Sequence, residues 1–184
     1  LPGAQNVWAG IGARWANVAN TPFRFWKAVM HEGGICTPAI AHWPAGLKVE
    51  KGSVSGEPCH VMDIMATCID VAGAEYPDVY GGHSIIPMEG VSFLPVLQTD
   101  SYDRRHETIG FEHFREKALV SSDRWKIVQR PGKNVWALYN LNADRTELHD
   151  LSGQYPEKLE KMVEQYAAWA ERCRVVPSPD NRAK

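Results

Sequence analysis

Between residues 107 and 141 the apolar positions come in short bursts. Residues 108–114, 117–121, 125–129 and 135–141 are rich in aromatic and β-branched side chains, which predicts four strands. The breaks at Ser122-Asp123 and Pro131-Gly132-Lys133-Asn134 suit tight antiparallel connections. From Pro156 the period lengthens. Leu159, Met162, Val163, Tyr166, Trp169, Ala170 and Cys173 make one apolar stripe and predict a helix from about Pro156 to Cys173. Glu157 and Glu160 sit early and Arg172 and Arg174 late, the order the helix dipole favours. Such a stripe needs a surface to cover, and the strands supply one, with Leu159, Val163 and Tyr166 expected against the sheet.

Upstream, Val61, Ile64, Met65, Cys68, Ile69 and Ala72 follow helical spacing, with Asp63 near the positive end and Gly73 as a stop. His60 and Asp63 at that start read as caps in preference to metal ligands. Ser92 can cap a short helical turn reaching Leu97. Residues 45–58 and 74–90 are polar or punctuated by Gly and Pro and read as loops. Residues 1–20 carry no sustained period and read as an irregular connection, in which Trp8 and Trp15 either cover the edge of the core or wall a pocket.

Residues 21–44 change character within a few positions. Arg24, Lys27, His31 and Glu32 are interleaved with Phe23, Phe25 and Trp26, and Glu32-Gly33-Gly34 then reads as a tight turn that uses the backbone freedom of adjacent glycines. Residues 35–43 are short, mostly apolar and bounded by Gly and Pro, which suits a buried strand, with Pro38 against its centre. The turn would then lie at a sheet edge, where α/β proteins build sites. A lysine ammonium there is a compact charge suited to an anionic group, although spacing alone reads Arg24 and Lys27 first as solvated charges beside a loop.

Composition narrows the classes. The 184 residues are 44% hydrophobic, enough for a real core, and 20 basic against 22 acidic residues give a net charge of −2. That balance gives no electrostatic reason to expect nucleic acid or an anionic membrane as partner, and no run approaches a transmembrane length. The opening at Leu1, without a basic region and apolar run, is what a chain beginning inside a longer one would have. Cys36, Cys59, Cys68 and Cys173 lack the close spacing of a zinc site and are too few for a disulfide scaffold. Cys68 and Cys173 are expected as buried thiols.

Taken in order, these pieces resemble the sulfatase family of arylsulfatase type, in its C-terminal portion. Lys27 stands five residues before Glu32 of Glu-Gly-Gly, and His42-Trp43-Pro44 closes the segment. The likeness continues through His60-Val61-Met62-Asp63-Ile64-Met65-Ala66-Thr67, Gly90-Val91-Ser92-Phe93-Leu94-Pro95, Leu138-Tyr139-Asn140-Leu141 and Asp144-Arg145-Thr146-Glu147-Leu148. The resemblance implies an α/β fold like that of alkaline phosphatase. Residues 1–100 would be the end of a mixed-sheet catalytic domain, and residues 101–184 a small α+β subdomain of four antiparallel strands and a helix.

It also implies a sulfuric ester hydrolase that uses a formylglycine nucleophile and calcium. Both would lie outside this chain. Cys36-Thr37-Pro38-Ala39-Ile40 imitates only the first letters of the family's Cys-X-Pro-Ser-Arg segment and follows the turn, so Cys36 is rejected as nucleophile. No Asp-Asn-Gly triplet occurs in residues 1–26, and no metal ligand is assigned. By resemblance Lys27 is the sulfate-contacting cation, while Arg24, His31 and His113 are the candidates for substrate contact. Glu112-His113 matches a pocket-bordering pair, but Phe114-Arg115-Glu116-Lys117 departs from the Glu-Gly-Asn-Arg that follows it in some members. The expected partner is a small-molecule or carbohydrate sulfate ester, with no nucleic acid and no membrane. A periplasmic or secreted setting accords with the family. The alternatives are a fragment of a related phosphatase, phosphodiesterase or phosphonate hydrolase, or a non-catalytic structural or binding fragment.

Overall fold

The computed structural model describes residues 10–99, 106–130 and 134–176. In chain order its elements are helices α1 (Gly12–Ala19), α2 (Glu32–Ile35) and α3 (Asp63–Ala72), strands β1 (Val79–Tyr80) and β2 (His83–Ser84), helix α4 (Leu94–Thr99), strands β3 (Thr108–His113), β4 (Glu116–Ser121), β5 (Trp125–Gln129) and β6 (Trp136–Asn140), and helix α5 (Pro156–Arg172). Two compact units result, Leu1–Pro38 with Glu107–Lys184, and Ala39–His106.

In the first unit β3, β4, β5 and β6 form an antiparallel sheet in that order. The β3–β4 connection is the pair Phe114-Arg115, both at positive φ (47° and 72°), the backbone that closes a two-residue hairpin in register with strand twist. The register aligns Leu119, Ile127 and Leu138 across three strands, and all three are fully buried. Leu159, Met162, Val163, Tyr166 and Trp169 of α5 pack on that row. Each such aliphatic side chain contributes about 1.5–3 kcal/mol by leaving water. Gly110 continues the row on β3 because a Cβ there would run into the Trp169 ring.

The opposite face carries Ala118, Val128, Tyr139 and Leu141, and residues 23–36 cover it through Met30 and Ile35. The sheet is therefore enclosed on both sides. The second cover was not expected from the sequence.

In the second unit α3 ends at Gly73, in the left-handed conformation (φ 62°), as its position predicts. At the start of α3 Asp63 Oδ2 accepts the His60 amide at 2.7 Å, which ties the preceding turn to the helix; it caps no amide of α3 itself. Its other oxygen accepts the Val91 amide at 2.9 Å and meets His106 Nε2 at 2.6 Å. Ser92 Oγ accepts the Leu94 amide at 3.2 Å, which starts α4. Gly81-Gly82 turns the small β1–β2 hairpin inside a segment read from sequence as loop.

Several expectations change. Residues 36–43 form no strand, and Ile40 is 96% exposed, because the chain leaves the sheet face after α2. Residues 12–19 are helical, not irregular: Ile11, Trp15, Val18 and Ala19 have helical spacing that nearby glycines obscure. The α3 residues turned inward are Asp63, Ala66 and Thr67, while Val61, Ile64 and Met65 are exposed. Cys68 and Cys173, expected as buried thiols, are likewise exposed, Cys173 because it stands just past the last residue of α5. Trp15 is 69% exposed and Trp8 lies outside the described residues.

Candidate functional site

The segment over the sheet is held by backbone groups meeting buried side chains. The Met30 amide donates to Glu116 Oε2 at 2.8 Å, and the Glu32 amide donates to Glu147 Oε2 at 2.7 Å. Lys126, fully buried on β5, brings Nζ to 2.7 Å from Glu32 Oε1 and 2.8 Å from Glu147 Oε1. Arg24 Nη1 donates to the Glu147 carbonyl. At the other flank, Asn20 Nδ2 donates to the carbonyls of Phe25 (2.9 Å) and Gly33 (2.8 Å), and the Phe25 amide donates to Asn17 Oδ1.

The glycines of Glu32-Gly33-Gly34 have a different reason from the one expected. Neither has positive φ; both lie in α2. A Cβ on Gly33 would meet the carbonyls of Arg24 and Phe25, and one on Gly34 those of Val29 and Trp26. The glycines let the lysine-bearing loop lie directly on α2. The positive φ values fall instead on Phe25 (64°) and Ala28 (75°), which bracket Trp26 and Lys27. Two such residues in a short loop store strain that the surrounding bonds sustain.

Lys27 itself is exposed, and among the described residues no hydrogen bond or ion pair ties its ammonium. Arg24 is half-buried, with its guanidinium 5.1 Å from the centre of the Phe25 ring. Arg130 approaches the same ring at 4.4 Å. His31 is only 3% exposed, edge-on to Phe25 with ring centres 4.8 Å apart. Burial, then the charges of Lys126, Arg24 and Arg130, lower its pKa to about 3, so the ring is neutral. Arg24, Lys27 and His31 thus share one loop. His113 stands apart from it, exposed at the end of β3 with its ring 4.1 Å from that of Phe114.

Lys126 thus lies between the carboxylates of Glu32 and Glu147, and Arg130 Nε lies 3.6 Å from Glu116 Oε1. Burial is the largest influence on Glu147 and pushes its carboxyl up despite Lys126. Glu116, Lys126 and Glu147 were missed as parts of the site. The available signal was Lys126 inside the run Trp125-Lys126-Ile127-Val128, where pairing puts it beside Val120 and Tyr139.

Among the described residues no group of three or more His, Cys, Asp or Glu side chains is arranged to hold a metal ion. Cys36 is half-buried, with Arg145 Nη2 3.6 Å from Sγ. Burial, together with Glu32, raises its pKa and opposes the thiolate a nucleophile needs. The described residues offer no ligand group that fits calcium, and Ala39-Ile40 after Cys36-Thr37-Pro38 do not fit a formylglycine segment. No described helix is long and apolar enough to cross a membrane.

Against known proteins, a family model described as N-sulphoglucosamine sulphohydrolase, C-terminal, matches residues 23–171. An uncharacterized sulfatase of Schizosaccharomyces pombe is 28% identical over 97% of this chain and 33% of its own length. Human arylsulfatase D is 44% identical over 59% of this chain and 16% of its own length. A solved chain described with the metabolism of multiple glycosaminoglycans by Bacteroides thetaiotaomicron is 21% identical, with a TM-score of 0.45 over 58% of this chain and 24% of that one. The chain spans about a third or less of the length of the curated relatives it matches.

Proposed function

Because the chain belongs to the sulfatase family, through that C-terminal model, we propose that it is the C-terminal portion of a sulfuric ester hydrolase and that Lys27 contacts the sulfate. The observation that carries this reading is the presentation of Lys27. Its ammonium is untethered among the described residues, while the backbone is fixed before it by Asn20 at the Phe25 carbonyl and after it by Glu116 and Glu147 at the Met30 and Glu32 amides. An ammonium so presented is a point cation that can meet a sulfate oxygen and stabilise charge growing there as the S–O bond breaks.

Calcium and formylglycine would be supplied by residues outside this chain, as in the family. The chain alone is accordingly inactive. The substrate class is a small-molecule or carbohydrate sulfate ester, in keeping with relatives named steryl-sulfatase and N-acetylgalactosamine-6-sulfatase. Arg24 supports the loop from behind, His31 supplies a neutral wall beneath Phe25, and His113 borders the substrate from β3.

The test is hydrolysis of p-nitrophenyl sulfate against p-nitrophenyl phosphate by the complete protein. Turnover of the sulfate in preference to the phosphate supports the reading. Preference for the phosphate, or sulfate turnover by the 184-residue chain alone, contradicts it.

A further inference from the structure

The geometry points to Glu147 as a positioning residue for Lys27, acting through Lys126 and the backbone amide of Glu32. This rests on the reading that Lys27 contacts sulfate.

Glu147 reaches both ends of the loop. Its carbonyl accepts Arg24 Nη1, three residues before Lys27, and its Oε2 accepts the Glu32 amide, five residues after. Its Oε1 meets Lys126 Nζ at 2.8 Å, and Lys126 returns to Glu32 Oε1 at 2.7 Å. The loop is thus closed through one residue, by its backbone carbonyl at one end and its carboxylate at the other. Lys27 has no side-chain tether among the described residues, so its position is inherited from this backbone.

The backbone of Glu147 supports the assignment independently. It is fully buried at φ 57°, where glycine would be at ease and a side chain is strained. Glycine there would relieve the backbone and abolish both carboxylate contacts. The strain is sustained by a loop that Asp144 organises, accepting the amides of Leu148 (2.8 Å) and His149 (2.9 Å). A charged donor network that fixes a neighbouring reactive group is how a site keeps its geometry to within fractions of an ångström.

A purely structural role would lower stability without coupling to Lys27, and a double-variant cycle separates the two. In the complete protein, Glu147→Gln is expected to lower kcat for p-nitrophenyl sulfate by about tenfold or more with KM nearly unchanged. In a Lys27→Ala background the same change should cost less than about twofold, because the group being positioned is already gone. Full multiplicative loss in both backgrounds, or no loss in either, overturns the proposal. Should Glu147→Gln fail to fold, Glu147→Asp, which keeps the charge one methylene short, is put through the same cycle and read in the same way.

A second measurement does not depend on sulfatase activity. Backbone amide exchange at Glu32 should accelerate by about tenfold in Glu147→Ala, which removes the acceptor oxygen that Gln would keep, while amides of β5 stay within about twofold. Unchanged exchange at Glu32 overturns the tether. A protein without sulfate ester turnover but with accelerated exchange instead refutes the role given to Lys27 and leaves the tether standing.

Discussion

Gly34 lies against the carbonyl of Val29 so closely that a Cβ on Gly34 would be driven into its oxygen, with the Trp26 carbonyl at 2.8 Å on the same side. The contact joins α2 to the loop that displays Lys27. It makes glycine a packing requirement at this position, where φ is ordinary. Gly34→Ala should therefore displace the loop or destabilise the chain by roughly 1–3 kcal/mol, the usual range for overpacking. Gly52, whose added Cβ would meet nothing within 4 Å, is a control for the space term, although its φ of 81° carries a backbone cost of its own. Urea unfolding of Gly34→Ala at wild-type stability, with unchanged amide shifts in residues 24–34, would mean that the two segments are not in this contact.

His31 predicts a pH dependence of stability. Its ring is neutral in the folded chain down to about pH 3, through burial and the charges of Lys126, Arg24 and Arg130. In the unfolded chain it titrates near 6.5. Between these values the unfolded state binds the extra proton, so the contribution is fully present above about pH 6.5 and is lost as pH falls toward 3. At 1.36 kcal/mol per unit the loss by pH 4 is on the order of 3 kcal/mol. His31→Gln should flatten this limb relative to wild type in denaturant melts at pH 7, 5 and 4. Parallel curves for the two proteins would mean that the folded ring accepts a proton readily.

Val163 tests the packing of α5. It lies half-buried against the cluster of Leu119, Ile127 and Leu138. Val163→Asp introduces a carboxylate with no partner in that contact and should cost about 2–4 kcal/mol. An unchanged melting temperature would mean that another face of α5 meets the sheet.

The elements of this sheet were legible because local signals and tertiary packing agree. Strands β3 to β6 fall within a residue or two of the aromatic and β-branched bursts, and α5 follows its apolar stripe from Pro156. The anchoring network was not legible in the same way. A lysine in a strand reads as solvent-facing, and Lys126 becomes an interior residue only through partners as distant as Glu32, 94 positions away. Glu147 reads as a loop carboxylate, and its burial depends on the segment that folds over it. The opposite failure occurs in α3, where apolar spacing at Val61, Ile64 and Met65 marks a helix correctly but not its inward face. Periodicity reports that an apolar face exists. What covers it is settled elsewhere in the fold.

The central claim, that Lys27 meets the sulfate, is tested most directly by steady-state kinetics of Lys27→Ala in the complete protein. An ammonium that touches an oxygen gaining charge during S–O cleavage should contribute mainly in the transition state, so kcat should fall more than KM rises. The expected loss in kcat is about 10²- to 10³-fold, roughly 3–4 kcal/mol. Lys27→Arg should recover little of it, since a planar fork does not occupy the place of a point donor. Lys48→Ala, at another exposed lysine, should leave turnover unchanged. Near-normal kcat/KM in Lys27→Ala would contradict the account and return Lys27 to a solvated surface charge.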